Sequence, residues 1–412
     1  MTFFGDMYFF VILAAALVPA AVLGLMEKPL KYYGGFLTLF FLFVSQYNSP
    51  QALAQLIIYI AFEVCLLYLY LGHRGKVERG ELPGKDRPRG QAPWLWLFAS
   101  LMPLVYVKIV EAAGLSGGKG LFAAAADWKP LLVLGISYLT FRTVQMLLEI
   151  HDGVITEISL PETLYFLLFF PAILSGPIDR SRRFHEDLTG IPSREEYLEL
   201  LGEGLWKISL GILYKFGIGA GFYVFIRWIV GRYIGGIAGE VVYMYAYGGY
   251  LFFDFAGYSL MAVGTSYILG VRTPDNFDKP FLAEDMKDFW NRWHITLSHW
   301  FRDYLFTRFM MAALKKKWFK SKLTAASLAF LINMGVMGLW HGFTWYYLAY
   351  GLYHGALLAL TEIWQKKSRF HKAHKKDTWY RLLCWFVTFH LVMAGFYLFS
   401  GRLGDPAIGL PV

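Results

Sequence analysis

Nine stretches of this chain are long and apolar enough to read as membrane-spanning helices, which leaves few folds open. A helix needs about 20 apolar residues to cross the hydrocarbon core of a bilayer. Met7–Leu25, Gln51–Leu71, Pro93–Val110, Leu131–Leu148, Gly204–Val230, Val241–Leu269, Leu323–Trp340, Phe343–Ile363 and Leu382–Ser400 approach or exceed that length. Phe36–Val44 and Leu164–Leu174 are shorter and read as tilted half-spans or re-entrant helices. Such pieces are tolerated only when packed inside protein or lining a cavity. Asp285–Leu314 is amphipathic and too polar to face lipid all round, so shorter, partly buried helices are expected there. In lipid the backbone must satisfy its own polar groups, so the chain is predicted to be an all-α polytopic membrane protein.

Composition supports this. Hydrophobic residues are 57% of the 412 and charged residues only 17%, against about 25% charged in soluble domains. Mean hydropathy is +0.42. A disordered chain, a disulfide scaffold and an ordinary cytosolic enzyme are excluded. The net charge of +9 does not imply nucleic acid, because membrane proteins concentrate Lys and Arg in cytoplasmic loops. Four basic clusters are expected on that side: Arg74 to Arg89, Arg180 to Arg194, Lys315 to Lys322 and Lys366 to Arg381. The cation-poor connectors Ala112–Asp127 and Gly231–Glu240 should face outward, which threads both termini outside. Met1 to Asp6 lacks a basic leader region, so Met7–Leu25 reads as a retained span. Cys65 and Cys384 lie in apolar stretches and read as inert buried thiols. Without repeats or low-complexity linkers, residues 1–412 read as a single membrane-embedded domain.

Charged groups within a bundle cost about 2.5–3.5 kcal/mol each on insertion scales, so they tend to have functions. Asp285 to Tyr304 is the richest segment, with carboxylates, arginines, an amide, His294 and His299 among aromatic rings. It is either an interfacial helix with internal ion pairs or the polar lining of a reaction chamber. The second feature is Gly338-Leu-Trp-His341-Gly342, at the junction of two apolar runs. His341 either caps a helix or serves as a general base, which suits an imidazole with an ordinary pKa of about 6.5.

Other chemistries fit poorly. His294 and His299 are five apart and diverge by about 140° on a helix, unlike a helical zinc pair, so no metal is expected. Gly264-Thr-Ser-Tyr267 is not a nucleophile elbow. Gly117-Gly-Lys-Gly120 is not a phosphate loop. Gly217-Ile-Gly-Ala-Gly221 reads as a close helix contact. A solute transporter stays open, although no paired broken helices are visible.

In chain order, the sequence carries Gly135-Ile-Ser-Tyr-Leu-Thr-Phe141, Phe169-Phe-Pro-Ala-Ile-Leu-Ser-Gly-Pro-Ile178 and Asp254-Phe-Ala-Gly-Tyr-Ser259. Phe289-Trp-Asn-Arg-Trp-His-Ile-Thr-Leu-Ser298, Phe301-Arg-Asp-Tyr304 and Gly338-Leu-Trp-His-Gly342 follow. At these residues the chain resembles the membrane-bound O-acyltransferase family, and within it the branch that serves D-alanylation of teichoic acids. The alginate-type O-acetyltransferases are close relatives and remain the alternative. They usually continue past Arg-Asp-Tyr with Ile-Pro-Leu-Gly-Gly, where this chain has Leu-Phe-Thr-Arg-Phe-Met-Met311.

The resemblance implies a ring of tilted helices around a tunnel. With the spans above this makes about 11 helices, plus short re-entrant ones. It implies His341 as the catalytic base and His294 as a second catalytic histidine. Asn291, Arg292 and Asp303 become candidates for bonds behind them, with purely structural roles as the alternative. It implies a D-alanyl thioester on the phosphopantetheine arm of an acidic cytosolic carrier protein, and no permanently bound cofactor. The outer acceptor would be lipoteichoic acid, reached with a membrane-anchored partner, in the plasma membrane of a Gram-positive-type bacterium. Beyond Tyr304, Thr307, Met310, Met311 and Leu314 share a helix face beside Lys315, Lys316 and Lys317. That face is either core or lipid contact, or a docking surface for the carrier.

Overall fold

The computed structural model describes residues 3–79, 93–115, 129–230 and 236–404. Lys85, Arg87, Arg89, the Gly117–Gly120 run and much of the two cation-poor connectors lie outside these. Among the described residues the regular structure is helical, joined by turns and irregular segments, with one isolated antiparallel bridge between Phe277 and Trp293. Six helices among the described residues are long and apolar enough to cross a membrane: Met7–Leu25, Pro50–Val77, Trp94–Gly114, Arg194–Trp228, Lys322–His341 and Thr378–Phe399. The protein is therefore a multi-pass membrane protein. The chain groups into two units, Met1–Leu210 with Ser259–Pro274, and Gly211–Tyr258 with Asp275–Val412.

The first unit begins with α1 (Met7–Leu25), α2 (Lys31–Gln46), α3 (Pro50–Glu78) and α4 (Trp94–Leu115). Asp6 caps α1 by accepting the Phe9 amide, and Ser49 with Pro50 starts α3. The expectation of buried thiols is corrected: Cys65 is exposed on the outer face of α3 and Cys384 is half-buried, as apolar side chains on a membrane-spanning helix need not face inward. The expected span Leu131–Leu148 is corrected. Its helix, α5 (Ile136–His151), begins later and has only 16 residues, about 24 Å of rise against about 30 Å of hydrocarbon. Gly135, at φ +69°, is the turn that delays it, and a Cβ there would overlap the Ile173 carbonyl oxygen. Its residues from Tyr138 to Ile150 are buried, including Arg142, Gln145 and Glu149. This is an interior helix and not a lipid-facing span.

The half-span is α6 (Leu160–Leu168), followed by a 3₁₀ turn, Phe170–Ala172, at Pro171. Arg142 holds this break together. Only 1% exposed, its guanidinium donates to the carbonyls of Phe166 (2.8 Å), Leu167 (2.7 Å) and Ala172 (2.9 Å). These carbonyls belong to the ends of helical segments, where no helical donor follows, and a cation there also suits the helix dipole. After α7 (Ser181–Thr189), α8 (Arg194–Ile212) runs through a π-helical turn, Leu213–Gly219, into α9 (Ala220–Val224) and a second π-helical turn, Phe225–Val230. From the Gly217–Gly221 run only Gly219 makes the expected close contact, against the Asp254 backbone. Gly221 faces open space.

α10 (Gly236–Ile268) has 33 residues. The second unit continues with α11 (Met286–Arg292), α12 (Ile295–Phe301), a π-helical turn at Arg302–Phe306 and α13 (Thr307–Lys315). These are the short helices expected for Asp285–Leu314. α14 (Lys322–His341), α15 (Trp345–Lys367), α16 (Arg369–His374) and α17 (Thr378–Phe399) complete it. α10 and α15 are long enough to span but rich in tyrosine, which lowers their hydropathy.

Replacing Arg142 by Met should strand three interior carbonyls. Each unsatisfied group costs about 1–3 kcal/mol. Thermal melting in detergent should fall clearly for Arg142→Met and hardly for Arg182→Met, at an exposed position. Equal melting of the two variants would remove Arg142 from its central role.

Candidate active site

α14 and α15 are joined by a short turn and pack backbone against backbone. A Cβ at Gly338 would overlap the Tyr347 carbonyl oxygen, and one at Gly351 the Met334 carbonyl oxygen. Small residues allow this approach in lipid, where dispersion and not water exclusion drives helices together. The seam delivers His341, the last residue of α14, into a cage of rings. Its imidazole centroid lies 4.6 Å from Trp340, 4.9 Å from Phe399, 5.8 Å from Tyr347 and 6.3 Å from Tyr350.

His294 is held differently. It sits between α11 and α12 at φ +44°, ψ +53°, a left-handed conformation uncommon outside glycine. Such strain costs about 1–3 kcal/mol and persists where neighbouring structure enforces it. The enforcement is visible. Ile295 donates its amide to the Asn276 carbonyl at 2.9 Å, and the Thr296 hydroxyl donates to Asn276 Oδ1 at 2.6 Å. Asp278 donates its amide to the Arg292 carbonyl at 3.0 Å, and the Ser298 hydroxyl donates to the Trp293 carbonyl at 3.1 Å. The His294 ring is 4% exposed and meets Phe255 edge-on at 4.8 Å. The two histidines are 47 positions apart in sequence (341 − 294), and both belong to the second unit.

Arg292 belongs to the same clamp. Its Nε donates to Asp288 at 2.7 Å and its Nη1 to the Asp278 carbonyl at 3.3 Å, so it ties α11 to the loop behind His294. Asn291 is exposed on α11, and Asp303 accepts a bond from neighbouring Arg302 at 3.1 Å. On α13, Thr307, Met311 and Leu314 are exposed, with Met311 at 57%, while Met310 is half-buried. The outward stripe therefore runs through Met311 and not Met310. Lys315, Lys316 and Lys317 are exposed beside it, with the Lys316 ammonium 5.6 Å over Trp318.

Two participants escape sequence reasoning. Asn276 carries no local signal, because its value lies in bonds to residues twenty positions away. His354 does carry one: Tyr350-Gly-Leu-Tyr-His354-Gly355 sets an imidazole beside glycine in an apolar run, as at His341. Its ring is fully buried, 4.6 Å from Tyr350 and 5.3 Å from Trp290, and it occupies the space a Cβ on Gly395 would need. Phe399 touches His341, and Phe396 lies 4.7 Å from Trp293. α17 thus links the surroundings of both histidines.

A family model for the membrane-bound O-acyltransferases matches residues 137–400. The chain belongs to the membrane-bound O-acyltransferase family and is an acyltransferase. It is 39% identical to a teichoic acid D-alanyltransferase of Bacillus subtilis (strain 168), over 98% of each chain. It is also 39% identical to a teichoic acid D-alanyltransferase of Streptococcus thermophilus, over 98% of this chain and 95% of that one. A probable alginate O-acetylase AlgI of Azotobacter vinelandii is more distant, at 29% over 67% of this chain and 52% of its own length.

Gly351→Ala should cost about 1–3 kcal/mol through overpacking and lower acyl transfer by displacing His341. Gly35→Ala, on α2 with open space at its Cβ, should be neutral or stabilising by up to about 1 kcal/mol. Melting curves and initial rates of both variants check this; an unaffected Gly351→Ala enzyme would mean that the seam does not set the site.

Proposed function

We propose that this protein transfers D-alanine from a carrier-bound thioester to a hydroxyl acceptor for D-alanylation of teichoic acid. The observation that carries the reading is that His341 and His294 both stand at helix breaks, in aromatic surroundings that α17 links through Phe399 and Phe396. Similarity over the full chain to teichoic acid D-alanyltransferases supports the choice of acyl group and polymer, and the weaker, partial similarity to alginate O-acetylases disfavours acetate. On this reading the whole chain acts as one membrane-embedded catalytic domain. It needs no bound cofactor or metal, since the donor's phosphopantetheine arrives with the carrier.

The chemistry is an ester exchange. The acceptor oxygen attacks the thioester carbonyl carbon, a C–O bond forms and the C–S bond breaks. His341 takes the hydroxyl proton and returns it to the leaving sulfur. General-base help of this kind is typically worth 10²–10⁴-fold. His294, fixed in its strained backbone, orients the donor or stabilises the oxyanion. Fixed geometry on both sides removes part of the entropic barrier. Arg292 acts behind His294 as a positioning residue.

His341→Ala should therefore lower the transfer rate by about 10²–10⁴-fold in a reconstituted assay, with carrier binding intact. Retention of more than about a tenth of the wild-type rate would contradict the base assignment. His294→Ala should also impair transfer, and its melting temperature, measured alongside, separates lost chemistry from lost fold.

The carrier docks on α13. Phosphopantetheine carriers are generally acidic with a small apolar patch, which the exposed line Thr307, Met311 and Leu314 beside Lys315, Lys316 and Lys317 complements. Methionine adapts well to such surfaces. Met311→Asp should weaken carrier binding, and the double change Met310→Asp with Met311→Asp at least as much. Rising salt should weaken the wild-type complex, since exposed charges are screened beyond about 8 Å at physiological ionic strength. Carrier affinity unchanged by Met311→Asp would move the docking site elsewhere.

A further inference from the structure

The second unit also holds a cleft of about 760 Å³ that the acyl-transfer reading leaves unused. It lies between the later turns of α15 and the early turns of α17, bordered by α16 and by Glu284 and Asp285 ahead of α11. It is separate from the histidines: from Tyr350, beside His341, to Leu360 in the cleft is about 15 Å of helix rise.

The cleft has two chemically different ends. One is apolar, formed by Leu357, Leu360, Leu383, Val387 and Leu391. Leu360, Leu383 and Val387 are also exposed on the outer surface of their helices, so this end opens sideways toward the bilayer hydrocarbon. The other end carries Lys367, His371, Lys375 and Arg381. Trp364 and Trp379 are exposed at the same level, where α15 ends and α17 begins. Such tryptophans mark the membrane–water interface.

The charges do not cancel. Glu284 is taken by Arg381, Nη2 to Oε1 at 2.6 Å and Nε to Oε1 at 3.0 Å. Asp285 accepts the amides of Lys287 and Asp288 and the side chain of Gln365 at 2.8–2.9 Å. The His371 Nδ1 shares a hydrogen bond with the Tyr380 hydroxyl at 3.0 Å. Lys367 and Lys375 have no carboxylate partner among the described residues. The lining therefore carries three cations, Lys367, Lys375 and Arg381, against the two carboxylates Glu284 and Asp285, and both lysine ammonium groups stand without an ion pair over an apolar cleft open to lipid. A lysine that only set membrane orientation would need no such cleft.

We propose that this cleft binds a phospholipid with an anionic headgroup. Lys367 and Lys375 hold its phosphate, and its acyl chains lie along Leu360, Leu383 and Val387. The volume falls within the usual range of about 300–1,000 Å³ for small-molecule sites, enough for the headgroup and the upper chain segments.

The test uses the full chain, purified in zwitterionic detergent and stripped of lipid. Native mass spectrometry and thermal melting are read against added phosphatidylglycerol, phosphatidylcholine and glycerol 3-phosphate. Phosphatidylglycerol should be retained and should stabilise the protein at concentrations where the other two do not. Lys367→Glu with Lys375→Glu should weaken phosphatidylglycerol binding by about 10- to 30-fold or more, with phosphatidylcholine unaffected. If that double variant melts early without lipid, Val387→Trp decides, because it fills the apolar end and leaves the charges in place. Equal binding of phosphatidylcholine would reduce the cleft to ordinary lipid contact, and equal binding of glycerol 3-phosphate would make it an ion site. Unchanged phosphatidylglycerol affinity in both variants would overturn the proposal.

Discussion

The backbone contact between α14 and α15 is the constraint on which the second unit depends. Two helices that close cannot carry side chains at the crossing, so Gly338 and Gly351 meet carbonyl groups directly. Once the crossing is set, His341 must project where α14 stops, and Tyr347 and Tyr350 must project from α15 beside it. Tyr350 then packs on His354, and His354 on Trp290 of α11. The order imposed at one glycine seam reaches, ring by ring, the helix that precedes His294.

Both histidines stand at helix breaks, for a physical reason. Inside a continuous helix an imidazole points from a cylinder whose polar groups are already used. At a break the backbone has orphan donors and acceptors that something must satisfy, and in a membrane interior water cannot be counted on. Around His294 that need is met by Asn276, Thr296 and Ser298. Their bonds fix the strained φ of His294 as a by-product of completing the backbone. The same logic places Arg142 at the break after α6, where it serves carbonyls and no reacting group.

The legible part of this molecule was what depends on local pattern. Apolar length located most of the helices, and the mixed polarity of Asp285–Leu314 foretold short segments. His341 stood out because glycine flanks a titratable ring at the junction of apolar runs. What failed to show depends on distant partners. Leu131–Leu148 has the hydropathy of a span, yet it is interior because Arg142 finds its carbonyls about 25 positions onward. Three-and-four spacing put Met310 and Met311 on one face, but helix packing tucked Met310 inward and left Met311 out. The π-helical turns at Leu213–Gly219 and Arg302–Phe306 insert a residue into the helical count, which no periodicity argument over those segments could have anticipated.

Charge in the second unit follows a division of its own. Carboxylates within the helices are matched: Lys215 with Asp254 at 2.5 Å, Lys287 with Glu362 at 2.7 Å, and Arg402 with Glu240 at 2.8 Å. These pairs are partly exposed, so each adds little to stability and is weak evidence of function. Cations without a carboxylate partner among the described residues instead collect at helix ends, at Lys315 to Lys317 after α13 and at Lys367 and Lys375 around α16. Such groups keep their hydration and cost the fold little. Their attraction for an anion is left over for something outside the chain. In a membrane protein this rich in apolar surface, hydrophobic exposure alone says little about binding, because lipid already satisfies it. Uncompensated charge set against apolar side chains is the more discriminating mark, since neither lipid tails nor water satisfies both parts at once.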